Sequence, residues 1–152
     1  MNTQKNNKGF TLIEILLVIA IMAILAAIVI VAINPAKQLG EAQNAQRRSD
    51  VRAVLDAVIQ YSLDNDGSLP GSIPTGTSCA TDGDDICQSD VSCEGASLDE
   101  LVSERKYLNE LPNDPTAATT DVIGYSIMKN SYGRVTVCAD TTYDEVEISV
   151  SK

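Results

Sequence analysis

Nineteen consecutive apolar residues, Ile15 to Ile33, constrain this 152-residue chain more than any other feature. At 1.5 Å per residue they make a helix of roughly 28 Å, close to the thickness of a bilayer's hydrocarbon core. A run of this kind near the start of a chain reads as a membrane segment. Residues 1–9, MNTQKNNKG, are polar, and Lys5 and Lys8 favour a cytoplasmic N-terminus. An ordinary secretory signal ends its apolar run at a small-residue cleavage site; here the run passes through Ile33-Asn34-Pro35 into a polar helical pattern, so the segment is expected to be retained.

Charge divides the chain in the same way. Residues 1–61 carry six Lys/Arg against four Asp/Glu, a net +2, and residues 62–152 carry five against seventeen, a net −12. An acidic outer domain argues against nucleic acid as a partner, because binding phosphates needs cations to replace their counterions. Its acidity reads as the solvation of an exported surface.

The four cysteines, Cys79, Cys87, Cys93 and Cys138, all follow the apolar run, and none forms a CxxC pair. Without a single histidine, zinc is disfavoured and disulfides in an oxidising compartment fit better. Four cysteines allow three pairings. The short separation of Cys87 from Cys93 favours a local loop, which leaves Cys79 for Cys138, but the other pairings stay open.

A second boundary lies before the apolar run, at Lys8-Gly9-Phe10-Thr11-Leu12-Ile13-Glu14, and Phe10 is the chain's one phenylalanine. The segment KGFTLIEILLVIAIMAILAAI closely resembles the class III leader and helix start of type IV pilins and type II secretion pseudopilins. The resemblance covers about the first thirty residues. It implies cleavage after Gly9 by a membrane prepilin peptidase, N-methylation of Phe10, and a role for Glu14 in assembly, pairing with the new α-amino group of Phe10 on a neighbouring subunit. Physics points the same way: a carboxylate in an apolar span costs about 2.5–3.5 kcal/mol on insertion scales and needs a partner. The simpler reading is a signal anchor whose Glu14 sits near the headgroups.

After Ile33, Asn34-Pro35 is expected to end or kink the helix, since proline removes a hydrogen bond and clashes with the preceding turn. Val51, Val54, Leu55, Val58 and Ile59 then define one buried face of a second helix over 36–63. Arg47, Arg48 and Arg52 are expected on the remaining surface, solvated or facing acidic neighbours. Asp64-Asn65-Asp66-Gly67 ends that helix, and the region 64–121 reads as a disulfide-braced connection. Within it Ser97-Leu98-Asp99-Glu100 has the form of a capping box. The stretches IQYSLDNDGSLP and YL-x-x-LP-x-DP also resemble parts of pilin-like proteins.

Three strand-like runs, Val122 to Lys129, Arg134 to Ala139 and Glu145 to Ser151, predict an antiparallel meander over 122–152, with Asn130-Ser131-Tyr132-Gly133 as a hairpin turn. The expected class is therefore α+β: a long N-terminal helix, half membrane (10–33) and half amphipathic, packed on a small sheet of about three strands, with residues 1–9 as leader and 34–152 as the globular domain.

Nothing in the sequence carries a reaction. No histidine is present for a triad, no glycine-rich phosphate loop appears, and the carboxylates are scattered. No catalytic residue and no cofactor are expected. Asp82, Asp84, Asp85 and Asp90 lack EF-hand spacing; Asp140 and Asp144 come nearer to calcium ligands, without reaching a committed metal site.

The expected function is a structural subunit, a major pilin or pseudopilin, forming a homo-oligomeric filament with a prepilin peptidase, an assembly platform and its ATPase. The precursor would cross the inner membrane once, with its C-terminal domain outside, before entering an extracellular or periplasmic filament. The alternatives are a monomeric membrane-anchored binding domain and a minor subunit that primes assembly.

Overall fold

The computed structural model describes residues 9–71, 73–117 and 121–152. It divides into two compact units, Met1–Leu39 and Gly40–Lys152. In the first, α1 (Leu12–Ile33) is a 22-residue helix with no buried residue, long and apolar enough to cross a membrane by length and composition.

Asn34 interrupts the helical path at the predicted place. It takes a left-handed conformation (φ 49°, ψ 77°) that closes α1, and α2 (Pro35–Asp64) begins at the next residue. Proline suits a first helical position because its missing N–H would have no helical partner there. The Asn34 side chain also caps the new helix, its Oδ1 accepting from the Lys37 N–H at 3.4 Å. At the other end Gly67, at φ 87°, donates its N–H to the Ser62 carbonyl at 2.8 Å and stops α2.

In the second unit α2 lays one stripe on a four-stranded antiparallel sheet. Its strands are β1 (Asp84–Cys87), β2 (Val122–Lys129), β3 (Val135–Ala139) and β4 (Ser149–Ser151), in the order β1-β2-β3-β4. Val51, Val54, Leu55 and Val58 of α2 meet Ile123, Tyr125 and Ile127 of β2 and Val135 and Val137 of β3 in one core. The class is α+β, as the sequence predicts. The short helix α4 (Asp99–Val102) adds Leu98 and Leu101, both fully buried and worth about 1.5–3 kcal/mol each at typical transfer values.

Three expectations need correction. The sheet has four strands because β1 lies inside the region read as an irregular connection; its neighbour across the outer edge is Ala96, whose N–H donates to the Asp85 carbonyl at 2.9 Å. The run from Glu145 forms a paired strand only at β4, because Asp144 and Glu145 turn the chain with left-handed φ values of 60° and 51°. The capping box at Ser97 does not form: Leu98 is the N-cap residue, and the Ser97 hydroxyl donates instead to the Asp99 carboxylate at 2.9 Å. The β2–β3 hairpin closes through Asn130, whose Oδ1 accepts from the N–H groups of Tyr132 and Arg134, both at 2.9 Å, with Gly133 at φ 81°.

Candidate functional site

Gly9 and Phe10 lie just before α1, both exposed, and the leader residues 1–8 fall outside the described residues. Thr11 opens the helix. Its backbone is extended (φ −81°, ψ 150°), its Oγ1 accepts from the Glu14 N–H at 3.3 Å, and its carbonyl accepts from Ile15. Thr11-Leu12-Ile13-Glu14 thus has the T-x-x-E form of a capping box, with Glu14 at the third helical position. That places the carboxylate against the positive end of the α1 dipole, the favourable end for an anion. The sequence signal for this cap was present, hidden inside the more conspicuous leader motif.

From Phe10 to Ala36, Glu14 is the one charged side chain. It sits one helical turn from Phe10, on a helix whose apolar surface is uncovered. A peptide bond broken between Gly9 and Phe10 would leave an α-amino group just ahead of the helix cap, where the dipole offers it nothing.

The globular unit carries a second set of polar groups; of the three arginines expected on its surface, Arg48 and Arg52 are exposed and Arg47 is not. Arg47, expected on the surface, is buried: Nε and Nη2 donate to the two oxygens of Asp114, Nη1 donates to Asn44 at 3.0 Å, and Nη2 reaches Thr116 at 2.7 Å. Asn44 in turn donates to the Tyr143 carbonyl at 2.8 Å and accepts from the Tyr143 N–H at 2.9 Å. Asp50 accepts from the Tyr125 hydroxyl at 2.8 Å. Asn44, Arg47 and Asp50 continue the apolar stripe of Val51 and Val54 at three-residue spacing, so the helical period did extend through them. Their polarity hid it.

The geometry fixes the electrostatics. Burial alone would raise the Asp114 carboxyl, but the Arg47 and Thr116 hydrogen bonds outweigh it and hold Asp114 below the usual range. Burial, with Asp50 beside it, pushes the Tyr125 hydroxyl strongly upward. Asp82, fully exposed, is lowered to about 2 by the backbone N–H groups of Thr77 and Ser78.

Cys79 is joined to Cys138 and Cys87 to Cys93, with Cα separations of 6.2 and 5.7 Å. The first bond fastens α3 (Cys79–Asp82) to β3 on the sheet face away from α2, where Met128 completes a small cluster. The second closes the turn after β1. Of the calcium candidates, Asp140 bonds the Ser126 hydroxyl, which Asp85 also approaches at 3.2 Å, and burial raises its carboxyl. Asp144 lies in the β3–β4 connection, in a left-handed conformation. Among the described residues no three His, Cys, Asp or Glu side chains are grouped to hold a metal.

Comparison with curated proteins and with solved structures finds no match. Residues 4–30 do match a family, the prokaryotic N-terminal methylation motif. The match spans the predicted cleavage and methylation positions, Gly9 and Phe10, and most of α1. Together with the apolar helix it fits a membrane-anchored precursor, and it implies processing by a prepilin peptidase and use of pilus assembly machinery in general. This chain therefore carries the prokaryotic N-terminal methylation motif over residues 4–30, and that motif supports a type IV pilin or pseudopilin precursor with a class III leader.

Proposed function

We propose that the chain is a major structural subunit of a type IV pilus-like filament, cut after Gly9, N-methylated on Phe10 and assembled through α1. The observation that carries this reading is the isolation of Glu14: one carboxylate in an otherwise apolar, uncovered helix, one turn from the residue the motif marks for a new amino terminus. Pairing Glu14 with the Phe10 amine of a neighbour removes the cost of placing either charge in an apolar bundle, and it rewards one axial register over others. The globular unit then forms the outer, acidic surface. The precursor spans the inner membrane once, and the mature subunit resides in an extracellular or periplasmic filament. No reaction and no resident cofactor form part of this proposal.

Replacing Glu14 with Ala separates this reading from a monomeric anchored domain. The filament reading expects the variant to reach the membrane, form its disulfides and be lost from sheared filaments. An anchored monomer has no filament to lose, and filaments that incorporate the variant at the wild-type level would remove Glu14 from assembly.

A further inference from the structure

The helix α1 stops short of the bond that the methylation motif marks for cutting. A helix that ran back toward the leader would give the Glu14 N–H to the Phe10 carbonyl and the Ile13 N–H to the Gly9 carbonyl, each four residues earlier. The Glu14 N–H goes to Thr11 instead, to Oγ1 at 3.3 Å and to the carbonyl at 3.1 Å, and the Ile15 N–H reaches the Thr11 carbonyl at 3.3 Å. Among the described residues no backbone N–H bonds the carbonyl of Gly9 or Phe10. Thr11 itself is extended, at φ −81° and ψ 150°, so the chain becomes helical only at Leu12.

Thr11 Oγ1 therefore competes directly with the Phe10 carbonyl for one donor. The first N–H groups of any helix lack partners within it, and a side-chain oxygen that takes one of them fixes where the helix begins. Gly9 acts in the same sense. A Cβ there would meet nothing within 4 Å, so packing gives no reason for a glycine, but its low helix propensity opposes extension of α1 across it. Phe10 offers no such opposition, which leaves Thr11 to keep it out of the helix.

The state of this segment matters because of what cleavage requires. Hydrolysis adds one water across the Gly9–Phe10 bond: the hydroxyl joins the Gly9 carbonyl carbon, the bond to the Phe10 nitrogen breaks, and the remaining proton goes to that nitrogen. The products are a Gly9 carboxyl group and a Phe10 amine. In a helix the Gly9 carbonyl would be held by the Ile13 N–H and its carbon packed against the next turn. In extended chain both faces of the bond are open to water and to a peptidase.

We infer that Thr11 is a positioning residue for this cleavage, its hydroxyl holding the helix start at Leu12 and so presenting the Gly9–Phe10 bond to the prepilin peptidase as extended chain. This role rests on the cleavage in the proposed function and names the residue that shapes the substrate for it. The same chain uses another device at its second helix, where Pro35 occupies the first helical position.

Full-length precursor in membrane vesicles, supplied with prepilin peptidase, tests the role through the fraction of inserted chains cut per unit time. Counting only inserted chains removes differences in accumulation. Thr11→Val keeps the branched shape without the cap and should slow cleavage about fivefold, the factor typical of one N-cap. Thr11→Ser and Thr11→Asn keep a capping oxygen in different shapes and should stay within about twofold of the wild type. Thr11→Val with Leu12→Pro has no hydroxyl, but a proline at the first helical position turns the preceding residue away from the helix, and most of the rate should return. Thr11→Val cut as fast as the wild type, or Thr11→Asn cut as slowly as Thr11→Val, would overturn the positioning role and leave cleavage after Gly9 standing. A wild-type chain left uncut, or cut at another bond, would overturn both.

Discussion

Arg47 and Asp114 form an ion pair whose side chains are 2% and 0% exposed, tying α2 to the segment that follows Leu111. Further bonds hold both partners, because Asn44 accepts from Nη1 of Arg47 and Thr116 bonds both residues. Removing one member leaves the other charged, buried and alone. Arg47→Ala should therefore cost about 3–5 kcal/mol in urea unfolding, and Arg47→Met with Asp114→Leu should cost clearly less. Equal losses in the two variants would mean that packing, not charge, matters at this position.

Falling and rising pH should act on different carboxylates. Asp114 is lowered in the folded state, so its contribution is present above the ordinary carboxylate range and is lost as pH falls through the depressed value. Asp140 is raised by burial, so its effect has the opposite sign: stability is greatest below the ordinary value and declines as pH rises through the raised one. Melting temperature against pH should show Asp114→Asn flattening the acid limb and Asp140→Asn flattening the decline above it. A shared response of both variants on one limb would contradict these assignments.

How the sequence concealed Arg47 shows the limit of periodic reading. Val51, Val54, Leu55 and Val58 announced a buried face because apolar side chains repeating at helical spacing line up on one side of the helix and must be covered. Asn44, Arg47 and Asp50 lie on the same stripe, but their burial depends on Tyr143, Asp114 and Tyr125, the last two of them 67 and 75 residues away. No local pattern records such partners. The strand β1 was obscured for a related reason: DDIC has one apolar aliphatic residue, and it is held by β2 and by Ala96, both distant or across a disulfide turn. By contrast the leader, the helix break at Asn34-Pro35 and the β2–β3 hairpin are set by neighbouring residues, and all three were legible.

Gly40 and Tyr143 offer a test of the clamp on the β3–β4 connection. A Cβ at residue 40 would meet the Tyr143 ring, so Gly40→Ala should displace the ring and destabilise the unit by about 1–3 kcal/mol. In a Tyr143→Ala background the same change should cost little. If Gly40→Ala is harmless with Tyr143 present, the ring does not rest where the structure places it.

The two disulfides should differ in weight. Cys79–Cys138 spans 59 residues and Cys87–Cys93 spans 6, so chain entropy gives about 4 and about 2 kcal/mol. Paired serine substitutions, followed by denaturant unfolding, should reproduce that order. A larger loss at Cys87–Cys93 would point to its role in holding Ala96 against β1.

The central claim is that the apolar helix is released from its leader and built into a filament. Mass measurement of the N-terminal peptide from sheared filaments tests this most directly. The account predicts a subunit that begins at Phe10 and carries an N-methyl group. A filament subunit that retains Met1, or a chain found in the membrane and never in filaments, would contradict it.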